Sequence, residues 1–386
     1  KLPKRSNMPP KKQATAEKVH GLPDDAQQLQ EQAVVVAAET EHTSPEEVDL
    51  TISMRRTSNN LSIVSMGGKV HLFDDSRGID DMMKVPPSLT HSTLSDNEPP
   101  TAVAFAPNGQ LLVVGNINGD LSVCDPREPE VPVTHHVASA HTGHLTTICF
   151  NIDSQILATG DVEGYLKVWD ATAGSLNLLH TEELDGPVLS ATFSNDGRML
   201  AYTSIHGDIA LLEVGSWKTL REWSVNDDHY TEASCLSPDG KVLACASNNT
   251  IQFFGTSDGS VLGSIDLGLV INPDLGIEHD VVNSLKFSPD GKLIAAACEE
   301  SADVFVWTAD DYTLRYTFEG SGVEVAFNPT GRLLATVGAH PEHRIWDTTN
   351  GKLVHSIAVP CISQAVAFSP DSRTLVAAGR AIEAED

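Results

Sequence analysis

The strongest constraint in this sequence is a segment that recurs along most of the chain. The stretch FSPDGKLIAAACEESADVFVWT (287–308) has near-copies before and after it, each with an apolar anchor ahead of its first turn. The spacing of these anchors lies between 40 and 51 residues, and a period of this length indicates a repeat architecture. The anchors are Phe105, Phe150, Phe193, Leu236, Phe287, Phe327 and Phe368.

Each repeat has the pattern of four short strands. The first strand ends at a turn such as Pro238-Asp239-Gly240, where Asp and Gly suit the backbone angles of a tight turn. The second is a continuous apolar run such as KLIAAAC (292–298), which suits burial on both faces. The third ends in an aromatic and an acid, and the fourth is more polar. Such sheets bury their faces against the sheets before and after them, so the sequence predicts an all-β propeller.

The motifs resemble those of the WD-repeat (WD40) family of β-propellers. The residues that carry the resemblance are Gly143-His144, Trp169-Asp170, Trp346-Asp347 and, at the equivalent place, Trp307. The resemblance covers roughly residues 48–380 and implies a structural network of His, Asp and Trp in each blade. The chain departs from that pattern, because the Asp position holds Asn118, Glu163, His206 and His340, and the Trp position holds Cys124, Leu212 and Phe254. We therefore expect these blades to depend more on apolar packing than on the polar network.

Two domains are expected: an arm over residues 1–47, mostly irregular with a short helix over 24–39, and a propeller over residues 48–386. Seven blades are predicted if the unit at 48–85 and the fragment at 362–386 share one blade, and eight if each forms its own. Residues 75–98 and 266–280 are predicted to be long connections, which are candidate contact loops.

The net charge of −28 is unevenly distributed. The arm is basic, with six Lys or Arg and one Glu in residues 1–22, and is interpreted as a solvated tail, as a nuclear signal or as a contact with an acidic partner. The acidic remainder argues against direct binding of nucleic acid and favours protein partners with basic surfaces. No apolar run is long enough to predict a membrane span. The six cysteines lack CxxC spacing, which favours an intracellular location, cytoplasmic with nuclear as the alternative.

The sequence motifs that could indicate catalysis or metal binding are weak. The G-x-S-x-G match at 255–259 falls where other repeats have an ordinary turn between the third and fourth strands. The histidines at 135, 136, 141 and 144 lack a Cys or carboxylate at ligand spacing, and His144 takes the structural Gly-His position that the resemblance implies. We therefore expect no catalytic residues, no metal, no cofactor and no small-molecule substrate.

The sequence favours a non-catalytic scaffold for protein–protein interaction, as a subunit of a larger assembly. A propeller enzyme or small-molecule binder that uses polar residues at the central channel is the alternative. Trp217 and Trp223 flank a fourth strand and are candidate rim anchors, with packing between neighbouring blades as the other interpretation. The candidate partner-contact residues, in the turns expected nearest the channel, are Asn118, Glu163, His206, Asn249, Glu300 and His340.

Overall fold

In the computed structural model, the sheets of this protein consist of short antiparallel strands, most of which pair with the strand next to them in sequence. The structure describes residues 59–65, 88–92, 98–128, 131–224, 231, 233–247, 249–269, 281–320, 322–338, 342–359 and 361–381. All of them belong to one compact unit, Arg56–Asp386. The predicted helix over 24–39 and most of the 266–280 connection lie outside these residues.

Six blades are each built from four consecutive strands. Blade 1 contains β3 (Pro100–Phe105), β4 (Leu112–Asn116), β5 (Leu121–Cys124) and β6 (Val133–Val137). Blade 2 contains β7 (Leu145–Phe150), β8 (Ile156–Asp161), β9 (Tyr165–Asp170) and β10 (Asn177–Glu183). Blade 3 contains β11 (Val188–Phe193), β12 (Met199–Ser204), β13 (Asp208–Glu213) and β14 (Thr219–Ser224).

The next three blades repeat this order. Blade 4 contains β15 (Ala233–Leu236), β16 (Val242–Ser247), β17 (Thr250–Gly255) and β18 (Val261–Asp266), and a 3-10 turn, Leu267–Leu269, follows it. Blade 5 contains β19 (Val282–Phe287), β20 (Leu293–Cys298), β21 (Val304–Thr308) and β22 (Leu314–Phe318). Blade 6 contains β23 (Glu324–Phe327), β24 (Leu333–Val337), β25 (Glu342–Asp347) and β26 (Lys352–Ala358).

The remaining strands come from both ends of the sequence and form one composite sheet in the order β2-β1-β28-β27. Its strands are β1 (Asn59–Ser65), β2 (Ser88–Ser92), β27 (Cys361–Phe368) and β28 (Thr374–Ala381). Within the described residues, the blades formed from continuous chain therefore number six, one fewer than the predicted seven, and the two end units form a shared sheet. The prediction that residues 75–98 form only a connection is wrong, because β2 lies within them; SLTHS lacks the apolar alternation that would have marked it as a strand.

The first strands of the sheets contact one another in sequence, from β3 through β7, β11, β15, β19 and β23 to β27, and β27 contacts β3. This circuit encloses a central channel. Every predicted anchor is the last residue of a first strand, so the all-β propeller is confirmed. The second strands are buried as predicted; all six residues of β20 are inaccessible to solvent or nearly so.

A recurrent hydrogen-bond pattern closes the first turn of a blade. In blade 5 the Ser288 hydroxyl donates to Asp290 Oδ1 at 2.7 Å and accepts from the Leu293 backbone N–H at 2.9 Å. Gly291 adopts the left-handed φ of +72° that this turn needs. The same Ser-x-Asp arrangement recurs in blades 3 and 4 and in the composite sheet, which explains the repeated SPDG-like sequence.

Candidate functional site

The predicted contact turns occupy one equivalent position in successive blades. Each joins the second strand to the third, so in a propeller all of them lie on the same face, here called the acidic-turn face. Asn118, Glu163, His206 and Glu300 are exposed, and Asn249 is half-buried with a φ of +63°. The described members are Asn118, Glu163, His206, Asn249 and Glu300, in blades 1 to 5; His340 lies outside the described residues.

These turns are held by the residue that ends the second strand. In blade 2, Asp161 Oδ1 accepts from the backbone N–H groups of Glu163 and Tyr165 at 3.0 and 2.8 Å. In blade 1, Asn116 Oδ1 accepts from the backbone N–H of Asn118 at 3.0 Å. In these two blades the side chain at the predicted contact position is therefore left at the surface.

The two faces of the ring differ in charge. None of the turns on the acidic-turn face contains Lys or Arg, over residues 116–120, 161–165, 204–208, 247–250, 298–303 and 338–342. On the opposite face, five of the first turns end in Lys or Arg, and several of these bases pair with the turn's own acid. Lys241–Asp239 and Lys292–Asp290 are examples, each at 3.0 Å. The acidic-turn face therefore lacks the local charge compensation that the opposite face has.

The central channel is a cavity of about 430 Å³ lined by the first strands of all the sheets. None of the described contact-turn residues lines this cavity, and the expectation that their turns lie nearest to the channel stays a prediction. Lys286 and Glu324 are the charged residues among the described ones that line it, with Nζ and Oε1 4.0 Å apart. Burial raises the pKa of Glu324 to about 7, although Lys286 and a hydrogen bond from Ser284 oppose the shift.

Both candidate rim tryptophans pack in contacts between blades. The Trp217 ring stacks on His180 of blade 2, with centroids 5.6 Å apart and planes 15° apart. The Trp223 ring lies 6.3 Å from Phe254 of blade 4 and under the Arg221 guanidinium at 6.0 Å. Each is half-buried, so part of each ring remains at the surface.

The structural polar network expected from the resemblance is present in blade 2, but the residues assigned to it were wrong. The network uses His141 rather than His144, and Asp161 rather than Glu163. His141 Nδ1 lies 2.8 Å from Asp161 Oδ2, and its Nε2 lies 2.6 Å from Thr159 Oγ1, to which Trp169 Nε1 donates at 2.8 Å.

The tautomer follows from these partners. The Asp161 carboxylate can only accept, so Nδ1–H donates to it. In the neutral imidazole Nε2 then accepts from the Thr159 hydroxyl, which itself accepts from the Trp169 indole. Burial is the largest influence on both groups. It lowers the pKa of His141, against the opposing influence of Asp161, and would raise the pKa of Asp161. Hydrogen bonds from His141 and from the backbone outweigh burial at Asp161 and lower its pKa. This site is a structural network with a neutral imidazole.

Signals for catalysis or metal binding do not assemble in the described residues. The G-x-S-x-G segment is the turn between β17 and β18, so a strand and not the helix of a nucleophile elbow follows it. No group of three or more His, Cys, Asp or Glu side chains in the described part of the chain is placed to hold a metal ion. Across those same residues, no helix has the length and apolar character to cross a membrane.

Comparison with known proteins identifies the repeat. The family model described as "WD domain, G-beta repeat" (WD40) matches residues 133–170 and 275–308. The first match contains the complete His141–Asp161 network, and the second ends with the third strand of blade 5. The resemblance to WD-repeat β-propellers is therefore confirmed.

Two curated relatives and one solved structure extend this result. Periodic tryptophan protein 2 of Arabidopsis thaliana is 24% identical over 289 residues, or 73% of this chain and 30% of that protein. Telomerase protein component 1 of Rattus norvegicus is 25% identical over 279 residues, or 70% of this chain and 10% of that protein. The chain thus spans less than a third of either relative's length. The crystal structure of the Myceliophteria thermophila Cps50 (Swd1) β-propeller domain matches with a TM-score of 0.61 at 15% identity, over 73% of this chain and 96% of that domain, which shows the shared fold.

Proposed function

We propose that this chain, which resembles WD-repeat β-propellers, is a non-catalytic scaffold that joins basic protein partners in a larger assembly. The observation that carries the proposal is the charge difference between the two faces, since the acidic-turn face has no Lys or Arg in its turns. Uncompensated surface charge favours partners of opposite sign and speeds their encounter. One similar protein is named as a component of telomerase, which agrees with a role as a subunit.

The composite sheet supports the scaffold in a second way. Its first strand β27 contacts the first strands of both blade 6 and blade 1. We infer that it serves as the seventh blade, which closes the ring and makes the two faces rigid. A rigid surface loses little conformational entropy when it binds a partner.

The proposal is tested by co-purification from native lysate at low salt. We expect Glu163→Gln with Glu299→Gln to reduce the recovered partners, because both side chains are exposed on the acidic-turn face. Asp153→Asn with Asp310→Asn removes the same charge from exposed positions on the opposite face and serves as the matched control. Recovery of no partner by the wild-type protein, or equal loss in both variants, would contradict the proposal.

A second candidate, binding of a small molecule in the channel, is supported by Lys286 and Glu324. A carboxyl whose pKa is about 7 exists in both charge states near neutral pH. A ligand that depends on this pair should lose affinity in Glu324→Gln, and screening both proteins against the same compound set by thermal shift tests this. No difference between the two proteins would remove this candidate.

The location proposed is intracellular, cytoplasmic with the nucleus as the alternative. It is supported by Cys124, Cys149, Cys235 and Cys245, which are free thiols. Imaging of a tagged full chain tests it, and secretion into the medium would contradict it.

A further inference from the structure

Two blades insert a cationic side chain toward the preceding blade from one equivalent position. Lys167, the third residue of β9, donates from Nζ to the Ala140 carbonyl at 2.6 Å. Arg344, the third residue of β25, donates to the carbonyls of Glu319 and Gly320 at 3.3 and 3.2 Å. A cation at this position therefore links successive blades by binding acceptors on the loop before its own first strand.

Blade 3 has Ala210 at the equivalent position. Ala210 is the third residue of β13 and lies directly opposite Tyr202 on one side and Glu222 on the other. Directly opposed residues share one face of a sheet, and Asp208, two residues before Ala210, lies on that face as well. The face packs against blade 2, because Tyr202 and Ala210 belong to the same buried cluster as Leu166.

Blade 2 supplies a third carboxylate to this place. Glu182 on the outer strand β10 lies opposite Leu166, and so on the face of blade 2 that is turned toward blade 3. Its Oε2 lies 2.8 Å from His180 Nε2, and Asp208 Oδ2 accepts from the Ser204 hydroxyl at 3.2 Å. Within the described residues, no Lys or Arg lies within 4.0 Å of Glu182, Asp208 or Glu222. Ala210 thus stands at the position where blades 2 and 6 place a cation, on a sheet face that carries Asp208 and Glu222 and is turned toward the face that carries Glu182.

The Tyr202 side chain lies on the same sheet face as Ala210. Tyr202 is only 5% exposed, and its hydroxyl has no hydrogen-bond partner in the part of the chain that the structure describes. Burial raises the pKa of Tyr202, and the charges of Glu182, Glu222 and Asp208 raise it further. Tyr202 also shares its sheet face with Asp208 and Glu222. A phenol hydroxyl can accept from a guanidinium or donate to a carboxylate, so it completes a polar pocket for a cationic side chain.

We propose that the gap between blades 2 and 3, formed by Glu182, Tyr202, Asp208 and Glu222, binds an arginine or lysine side chain of a partner protein. The incoming side chain occupies the place that Lys167 and Arg344 occupy in their own blades. The proposal deepens the proposed function, on which it rests, by assigning one site on the ring's edge. A metal ion fits the gap poorly, because these carboxylates do not form a metal-ligand group.

Fluorescence anisotropy with a labelled Gly/Ser peptide that carries two arginines tests the site at low salt. The same peptide with citrulline in place of arginine keeps the shape and removes the charge. We expect Asp208→Asn with Glu222→Gln to weaken arginine-peptide binding about 10-fold, which is the effect of losing two partly exposed ion pairs. The matched control Asp153→Asn with Asp310→Asn should change it less than about 2-fold, because screening weakens distant charges.

A second variant fills the gap from within. Ala210→Arg places a guanidinium where blade 6 has Arg344, so we expect it to lower peptide affinity about 10-fold and to raise the melting temperature. Ala210→Met has similar bulk and no charge, so it should not raise the melting temperature. Equal peptide binding by Asp208→Asn/Glu222→Gln and by the control, equal binding of the citrulline peptide, or no loss of binding in Ala210→Arg would each overturn the proposal. Co-purification of partners that is insensitive to these substitutions would overturn the site while leaving the scaffold function in place.

Discussion

His343 should make the protein sensitive to mild acid. It lies on β25, is fully buried, and places Nε2 2.8 Å from the Ser363 hydroxyl of the composite sheet. Its Nδ1 has no hydrogen-bond partner within the described residues. The equivalent position in the other blades is aliphatic and fully buried, as Leu121, Leu166, Ile209, Ile251 and Val304.

Burial lowers the pKa of His343 from 6.5 to about 4. Because the folded pKa is lower than the unfolded one, the unfolded chain binds the proton more readily. Stability is therefore complete above pH 6.5 and falls as the pH falls toward 4. At pH 5 His343 is protonated in the unfolded state but stays neutral in the folded state. The free energy of unfolding is therefore about 2 kcal/mol lower at pH 5 than at pH 7.5.

The variant His343→Leu restores the aliphatic pattern of the other blades and removes the titrating group. Denaturant unfolding followed by tryptophan fluorescence at pH 7.5 and pH 5 measures the free energy of unfolding of both proteins. We expect the wild type to lose about 2 kcal/mol more than the variant over this range, with unchanged denaturant dependence. His141 titrates in both proteins and cancels in the difference. Equal losses in the two proteins would refute the burial argument.

Three further predictions concern packing and reactivity. Thr159→Val removes the hydroxyl shared by His141 and Trp169, so it should cost about 2 kcal/mol, more than Thr336→Val, which removes an acceptor of one indole only; urea denaturation compares them. Gly379→Ala would place a Cβ against the Ile362 carbonyl oxygen, so it should lower the melting temperature by several degrees or prevent folding. Gly215→Ala has open space around it and adds only the backbone strain of a φ of +94°, so it should lower the melting temperature less. Burial raises the pKa of four described thiols, and brief iodoacetamide treatment of native protein followed by mass spectrometry should leave them unmodified; these thiols are Cys124, Cys149, Cys235 and Cys245.

The repeat made most of the fold predictable. The anchors fix the end of every first strand because an apolar residue must enter the core just before the exposed turn. Where one end of the sequence contributes a polar strand, as β2 does, the pattern has no apolar alternation to reveal it. Its place is set by pairing with β1, which the sequence does not encode locally.

The polar network of blade 2 shows a second limit on what the sequence can predict. The dipeptide Gly143-His144 predicts that His144 belongs to the polar network, but the hydrogen bonds depend on which imidazole the loop before β7 brings against Asp161. His141, three residues earlier, reaches that position and His144 does not. The sequence feature that could have identified the network is the acid at the end of the second strand, Asp161 in DVEG (161–164). Asp161 also accepts hydrogen bonds from the backbone N–H groups of the turn that follows it.

Residues that depart from the repeat pattern destabilise the fold by different amounts, depending on whether they lie in the interior or near the surface. His343 places an imidazole where the other blades have an aliphatic side chain, and its burial in the interior lowers the stability of the fold. His343→Leu should therefore stabilise the propeller at low pH with no effect on binding. Ala210 omits a cation beside exposed carboxylates, and water screens most of that cost. Ala210→Arg should therefore also stabilise the ring, but at the expense of binding. A stabilising substitution that costs binding marks a position kept for a partner, and the comparison of these two variants separates a site from an irregularity of the core.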